Sequence, residues 1–297
     1  MPSPASQPFR HRPYDGSTQP FTVGLRPIGE EDWLEPDPLL EEHLNEKERL
    51  FAHDLSAVFR EEDNTEKSQG EVLGLVIENL SRFHGATYSF KGDTATVGRP
   101  GRKIPVKTAP FLLTASRLVQ EDLVIMRPSP EGYRLVSASL CFPSSWRLSE
   151  KIGLTMTGIH DGVPGFNGSR MGQVVARLFD NLKVGQLLCR FNWSIYPDDK
   201  LHHPMPEGIP FDVDSRTFAR LFLRVERQTL RRLPENGDIL FTIKIHHDPL
   251  SLLSRQEDRA AIASNLRAQL LALRNDQLTY KGLTKARDEI AAVLHRM

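Results

Sequence analysis

One histidine of this chain sits on a rigid mount. In Gly158-Ile159-His160-Asp161-Gly162-Val163-Pro164-Gly165-Phe166-Asn167, His160 stands directly before a turn of Asp, two Gly and a Pro. Glycine permits positive φ and proline locks φ at about −65°, so such a turn fixes the direction of the imidazole. An imidazole aimed this way suits a metal or a substrate; on this segment alone a purely structural turn histidine stays open as well. A second constellation is Arg224-Val225-Glu226-Arg227-Gln228. As a pocket wall it lets Glu226, paired with a cation, handle protons or bind a cationic substrate. As a plain strand it is a solvated, salt-bridged face, and the charge continuing through Arg231-Arg232 is expected to be partly exposed. Arg190, Asn192 and Trp193 carry the same two readings. His202-His203 and His246-His247 make poor metal sites as pairs, because neighbours on a strand point to opposite faces.

Other chemistries have no signature here. There is no G-x-x-x-x-G-K-[ST] loop, no G-x-G-x-x-G after a strand, no H-E-x-x-H, no pair of C-x-x-C motifs and no G-x-S-x-G elbow. Lys plus Arg and Asp plus Glu both number 38, for a formal net charge of +0. That balance speaks against nucleic acid or an anionic membrane surface captured through a net positive field. No apolar run reaches the roughly 18 residues of a membrane span. The opening MPSPASQPFRHRPYDGSTQPF has no apolar core behind a basic start, so it reads as neither a secretory signal nor a transit peptide. Cys141 and Cys189 lie in apolar runs and read as buried thiols, with the cytoplasm as the expected location.

The elements that must position these residues follow from periodicity. Residues 1–24 lack it and read as a flexible arm. The segment from Glu35 to Leu55 predicts a helix with Asp37 as cap, Pro38 in the first turn, and Leu40, Leu44 and Phe51 on one side. Ser68 and Glu71 read as a capping box opening a second helix whose stripe runs from Val72 to Phe83. EDLVIMRP and GYRLVSASLCFP predict a hairpin, and SSWRLSEKIG a short helix. MGQVVARLFDNL predicts a helix with Val174, Leu178 and Leu182 together. GQLLCRFNWSIY alternates as a strand. Two long alternating runs flank Pro234-Glu235-Asn236-Gly237-Asp238, a strong hairpin signal. Leu223, Val225 and Arg227 face one way along the first of them, and Arg224, Glu226 and Gln228 the other. Ile262, Leu266, Leu270 and Leu273 mark a further helix, and TKARDEIAAVLHRM a last one. Strands neighbour strands, so the fold class is α+β, read as one domain with flanking N- and C-terminal helices.

Six segments occur in an order that carries a resemblance: EKERLF, QEDLVIMRP, SLCFPSSWRLSEKIG, IHDGVPGFN, RFNWSIY and RVERQTLRRLPENGDILFTIKI. Together, over roughly Leu25 to Leu250, they resemble the haem-dependent oxidative N-demethylase alpha-subunit-like family. The resemblance implies a PAS-like antiparallel sheet that binds haem b, over residues 25–250; residues 251–297, helical by their own periodicity, are expected to pack on the same domain. It also implies a monooxygenase that takes a methyl group from a dimethylamine-like substrate with O2 and releases formaldehyde. Electrons are then expected from NADPH through partner subunits carrying FMN and a 2Fe-2S cluster.

By the same resemblance His160 is the proximal ligand of the haem iron, its other ring nitrogen donating to a carbonyl or carboxylate. Glu226 is the carboxylate that accepts the amine, with Arg224 or Arg227 setting its charge state. Arg190 and Arg170 are expected at the haem propionates, and Phe166 and Trp193 against the macrocycle. The chain departs from its relatives at Gly162, where they tend to carry a proline before the Val-Pro pair. A haem-binding PAS-like sensor without turnover, and a protein that kept the fold and lost the haem, are the competing readings.

Overall fold

Alternating strands form the centre of the molecule. The computed structural model describes residues 8–205, 213–214 and 216–297. Among these, the strands are β1 (Arg26–Pro27), β2 (Phe59–Glu61), β3 (Tyr88–Lys91), β4 (Thr94–Val97), β5 (Arg102–Pro105), β6 (Asp122–Ser129), β7 (Gly132–Ser139), β8 (Leu187–Tyr196), β9 (Phe222–Arg232) and β10 (Ile239–Pro249). The helices are α1 (Leu40–Val58), α2 (Glu66–Phe83), α3 (Phe111–Ser116), α4 (Leu148–Lys151), α5 (Met156–Ile159), α6 (Arg170–Asn181), α7 (Arg259–Leu271), α8 (Asn275–Tyr280) and α9 (Arg287–His295).

Seven strands form one antiparallel sheet in the order β1-β8-β9-β10-β6-β7-β2, and β3-β4-β5 form a small second sheet. The fold is α+β, as the clustering of strands predicts. Both expected hairpins form, β6–β7 and β9–β10. The Asn236-Gly237 turn of the latter is closed by the Leu233 N–H donating to the Asp238 carbonyl at 2.8 Å. No helix among the described residues is long and apolar enough to cross a membrane.

Apolar burial falls into two clusters. One joins α1, α2 and α3 to β6, β7 and the Leu230–Leu240 hairpin end. The other joins α7 and α9 to Trp193, Leu223, Val225, Phe9 and Tyr14. Residues 8–24 thus lie against the C-terminal helices: Phe9 and Tyr14 are buried, and the Gln269 amide donates to the Thr18 carbonyl at 2.9 Å. Leu40, Leu44 and Phe51 on α1, and Ile262, Leu266 and Leu270 on α7, are buried as their spacing predicts. Both cysteines are buried free thiols.

Two local expectations fail for tertiary reasons. Helix α2 begins at Glu66 rather than at Ser68. Ser68 and Glu71 have other partners: the Ser68 hydroxyl donates to Asp238 at 2.7 Å, and the Glu71 carboxylate accepts the Glu235 and Asn236 backbone N–H groups at 2.6 and 3.0 Å. On α6 the inward side is Val175, Leu178 and Phe179, and Val174 is exposed. Arg231 is buried, because the Glu30 carboxylate holds its guanidinium at 3.1 Å and the Trp33 ring lies 4.3 Å away. Neither face of β9 is solvated: Arg224, Glu226, Arg227 and Gln228 are all buried.

Candidate active site

Strand register builds the floor of the site. Arg190 pairs with Gln228, Asn192 with Glu226 and Ser194 with Arg224, so these six side chains share one face of the sheet. Gln228 pairs in turn with Ile243, and Leu230 with Phe241, which extends that face with apolar side chains. A cavity of about 480 Å³ lies over it, roofed by α5, α6 and the loop from Ser144 to Trp146 and closed at one end by Tyr280 and Lys281. That volume is within the range of small-molecule and cofactor sites, roughly 300–1,000 Å³.

His160 enters the cavity from the C-terminal end of α5, a helix of only one turn. Its backbone N–H and its Nδ1 both donate to the Met156 carbonyl, at 3.1 and 2.8 Å. With the Nδ1 proton so placed, Nε2 keeps its lone pair. Burial lowers the imidazole pKa below its ordinary value, so the ring is neutral at neutral pH. Phe166 stacks on the ring, centroids 3.9 Å and planes 10° apart. Two turns bring Phe166 there, Val163 N–H donating to the His160 carbonyl and Phe166 N–H to the Val163 carbonyl. Gly162 has φ +84° in this stretch, a value that side-chain-bearing residues rarely adopt. Gly172 on α6 meets the same loop so closely that a Cβ would lie 2.6 Å from the Phe166 carbonyl oxygen.

Glu226 is held as an acceptor. It accepts the Gln228 amide at 2.7 Å and the Asn192 amide at 3.3 Å. The Asn192 carbonyl oxygen in turn accepts from the Lys281 ammonium at 3.3 Å, and the same ammonium donates to the Trp193 carbonyl. Burial pulls Lys281 down to about 8, partly countered by Glu226 and reinforced by Arg190. Its ammonium also lies over the Phe21 and Trp193 rings, at 5.2 and 5.5 Å.

The residues singled out from the sequence divide as follows. His160, Phe166, Arg190, Trp193, Arg224 and Glu226 all line the cavity. Arg224 does so as an anchor: its guanidinium donates to the Phe142, Pro143, Lys200 and Leu201 carbonyls and to the Ser144 hydroxyl, and so ties down the loop that roofs the site. Trp193 pairs with Val225 on the far side of the sheet and packs edge-on to Tyr14, 6.2 Å away, so only its margin reaches the cavity. Arg227 is absent from the cavity. It lies on the opposite face, where it donates to the Trp33 and Asp32 carbonyls and pairs with Glu35 at 3.4 Å. Arg170 is exposed at the start of α6 and does not line the cavity either. Asn192, which the sequence leaves between pocket wall and solvated strand, lines the cavity, and Lys281 is the member that motif reasoning leaves unassigned.

The site suits an iron-centred macrocycle with acidic side arms. His160 offers an unpartnered ring nitrogen, and Arg190 has a buried Nε with no hydrogen-bond partner among the described residues. Ser194 Oγ on the same face is likewise buried and unpartnered. Buried polar atoms of this kind are rare unless a ligand or water completes them. Met126, Leu135, Met156, Phe179 and Phe241 supply an apolar lining for a flat ring. A family model described as haem-dependent oxidative N-demethylase, alpha subunit-like, matches residues 24–291 of the chain.

Proposed function

The chain belongs to the haem-dependent oxidative N-demethylase alpha-subunit-like family, and from that premise we propose that it is a haem-carrying monooxygenase subunit acting on a small methylated amine. The observation that carries this reading is His160. It lines the cavity with its Nδ1 proton fixed on the Met156 carbonyl, which is how an axial imidazole is oriented and kept in one tautomer. In this reading the sheet is a PAS-like seat for haem b, and the protein works in the cytoplasm.

Haem bound here supplies an iron that takes up O2 and electrons. The protein's own residues hold and orient. His160 would hold the iron, Phe166 would brace the imidazole, and Arg190 would take a propionate. Glu226, oriented by Gln228 and Asn192, accepts the N–H of the amine and removes the proton of its ammonium form, so that the nitrogen lone pair is free. Lys281 balances the charge of Glu226 through Asn192. Arg224 keeps the roof loop closed over these groups. Arg170 and Arg227 have no part at the site.

The overall reaction consumes one O2, two electrons and two protons for each N-methyl group, and yields the demethylated amine, formaldehyde and water. A dimethylamine-like substrate fits Glu226, the carboxylate on the sheet floor of the cavity. The electrons come from NADPH through partner subunits with FMN and a 2Fe-2S cluster. Two buried cysteines are too few for a cluster of the chain's own.

The test is formaldehyde release from dimethylamine by haem-loaded protein supplied with a reductant and O2. Formaldehyde formed in step with amine loss supports the reading. Haem that binds and reduces while no small methylated amine is turned over returns the chain to the sensor reading.

A further inference from the structure

Three metal-ligating groups converge on the sheet face opposite the cavity. His11 comes from the segment before β1, Glu35 from the loop before α1, and His246 from β10. His11 Nε2 lies 2.9 Å and His246 Nε2 3.4 Å from the same oxygen, Glu35 Oε2. All three ligand atoms fall within 4.8 Å of one another. Around a tetrahedral zinc ion with ligands at about 2.0–2.1 Å, neighbouring ligand atoms are about 3.3 Å apart. The two measured edges bracket that value.

A second observation points the same way. His246 Nε2 is buried and makes no hydrogen bond among the described residues, its contact with Glu35 Oε2 at 3.4 Å falling outside hydrogen-bond geometry. The His11 ring is held in place by Phe191, 4.8 Å away.

The rest of the carboxylate is occupied by cations. Arg227 Nε and Arg10 lie 3.4 and 3.5 Å from Glu35 Oε1, and Arg227 is itself fixed on the Trp33 carbonyl at 2.9 Å. They orient the carboxylate as outer-shell partners do and leave Oε2 to the two imidazoles. Their positive charge opposes a dication, so binding needs all three ligands together. Two imidazoles and one carboxylate select a zinc-like cation over magnesium or calcium, which prefer oxygen ligands.

We propose that His11, Glu35 and His246 form a site for one divalent zinc-like cation, with water completing the coordination. The ion would staple the segment around His11 to β10, 235 residues away in sequence. It would do so on the side of the sheet that the cavity does not use.

The experiment is calorimetric titration of the full chain, haem-loaded and freed of metal by chelation, with zinc chloride. Metal content is measured after dialysis. We expect one zinc ion per chain, no uptake of magnesium, and binding weakened about a hundredfold or more in His11→Ala and in His246→Ala. Zinc should raise the thermal midpoint of the wild type and leave that of His11→Ala unchanged. Circular dichroism on both variants checks that the fold is intact. No stoichiometric uptake by the wild type overturns the proposal and leaves Glu35 as the hub of an ion-pair cluster. Binding of equal strength in both variants also overturns it, since the ion would then sit on other histidines.

Discussion

The Asn192 amide lies between two opposite charges: its Nδ2 donates to Glu226 at 3.3 Å, and its Oδ1 accepts from Lys281 at 3.3 Å. The amide has one donor end and one acceptor end, and each faces the partner that suits it. Asn192 sits directly across from Glu226 in the β8–β9 register, whereas Lys281 arrives from the end of α8. A carboxylate on the sheet is thereby tied to a cation from the C-terminal helices.

Glu226→Gln removes the negative charge and the base and keeps the shape. Haem occupancy should be unchanged, and amine turnover should fall by roughly a hundredfold or more, the usual range for losing a positioned base. Formaldehyde release measured beside the Soret absorbance checks both. Turnover at the wild-type rate would give Glu226 a purely structural role.

Lys281 carries a pH signature. Burial holds its pKa at about 8 in the folded protein, against 10.5 for a free lysine side chain. Between these values the unfolded chain binds the proton more firmly, so stability gains as pH rises from about 8 to about 10.5. The burial penalty of the ammonium is felt in full below that interval. In Lys281→Met this gain disappears. Denaturant midpoints of wild type and variant should run parallel below pH 8 and diverge above it, the wild type rising. Parallel curves through pH 10 would show that the ammonium is solvated.

Gly172→Ala tests the mount of His160. The added Cβ meets the Phe166 carbonyl at 2.6 Å, so α6 or the loop must shift, at about 1–3 kcal/mol. Phe166 stacks on His160, and we expect weaker haem affinity together with a lower melting temperature. Haem titration of apoprotein decides it, since an unchanged affinity would uncouple α6 from the imidazole.

Asp122 governs the roof loop from below. Its carboxylate accepts the Cys141 and Phe142 backbone N–H groups, each at 2.8 Å, and lies 4.0 Å from the fully buried Lys47. Asp122→Ala strands the two backbone N–H groups and removes the counter-charge of Lys47, whose ammonium keeps the Ser116, Val119 and Glu121 carbonyls as acceptors. It should destabilise the fold by about 3–5 kcal/mol. Urea unfolding measures the loss. A change under 1 kcal/mol would mean that water replaces the carboxylate.

Period-two alternation carries much of this site into view from sequence. It puts Arg224, Glu226 and Gln228 on one face of β9 and Arg227 on the other, and the register agrees. Grouping Arg227 with Glu226 goes against that alternation, and Arg227 lies on the opposite face and does not line the cavity. What periodicity does not carry is which distant segment covers a face. The pattern cannot say which of Arg231 and Arg232 is buried, because the Glu30 carboxylate that covers Arg231 lies 201 residues away. Ser68 and Glu71 match a capping box, yet their partners are at the far hairpin turn. Lys281 has no local mark at all, since its partner Asn192 is 89 residues distant. His11 and His246 are the same case, ligating types that no spacing rule would join.

The account rests most directly on His160 as the seat of haem iron. The decisive measurement is the absorption spectrum of the chain reconstituted with haem, oxidised and after dithionite, for the wild type and for His160→Ala with and without added imidazole. The account predicts a stoichiometric Soret band in the wild type, a lost or strongly shifted one in the variant, and its return with imidazole. A variant whose spectrum matches the wild type in both oxidation states would contradict it.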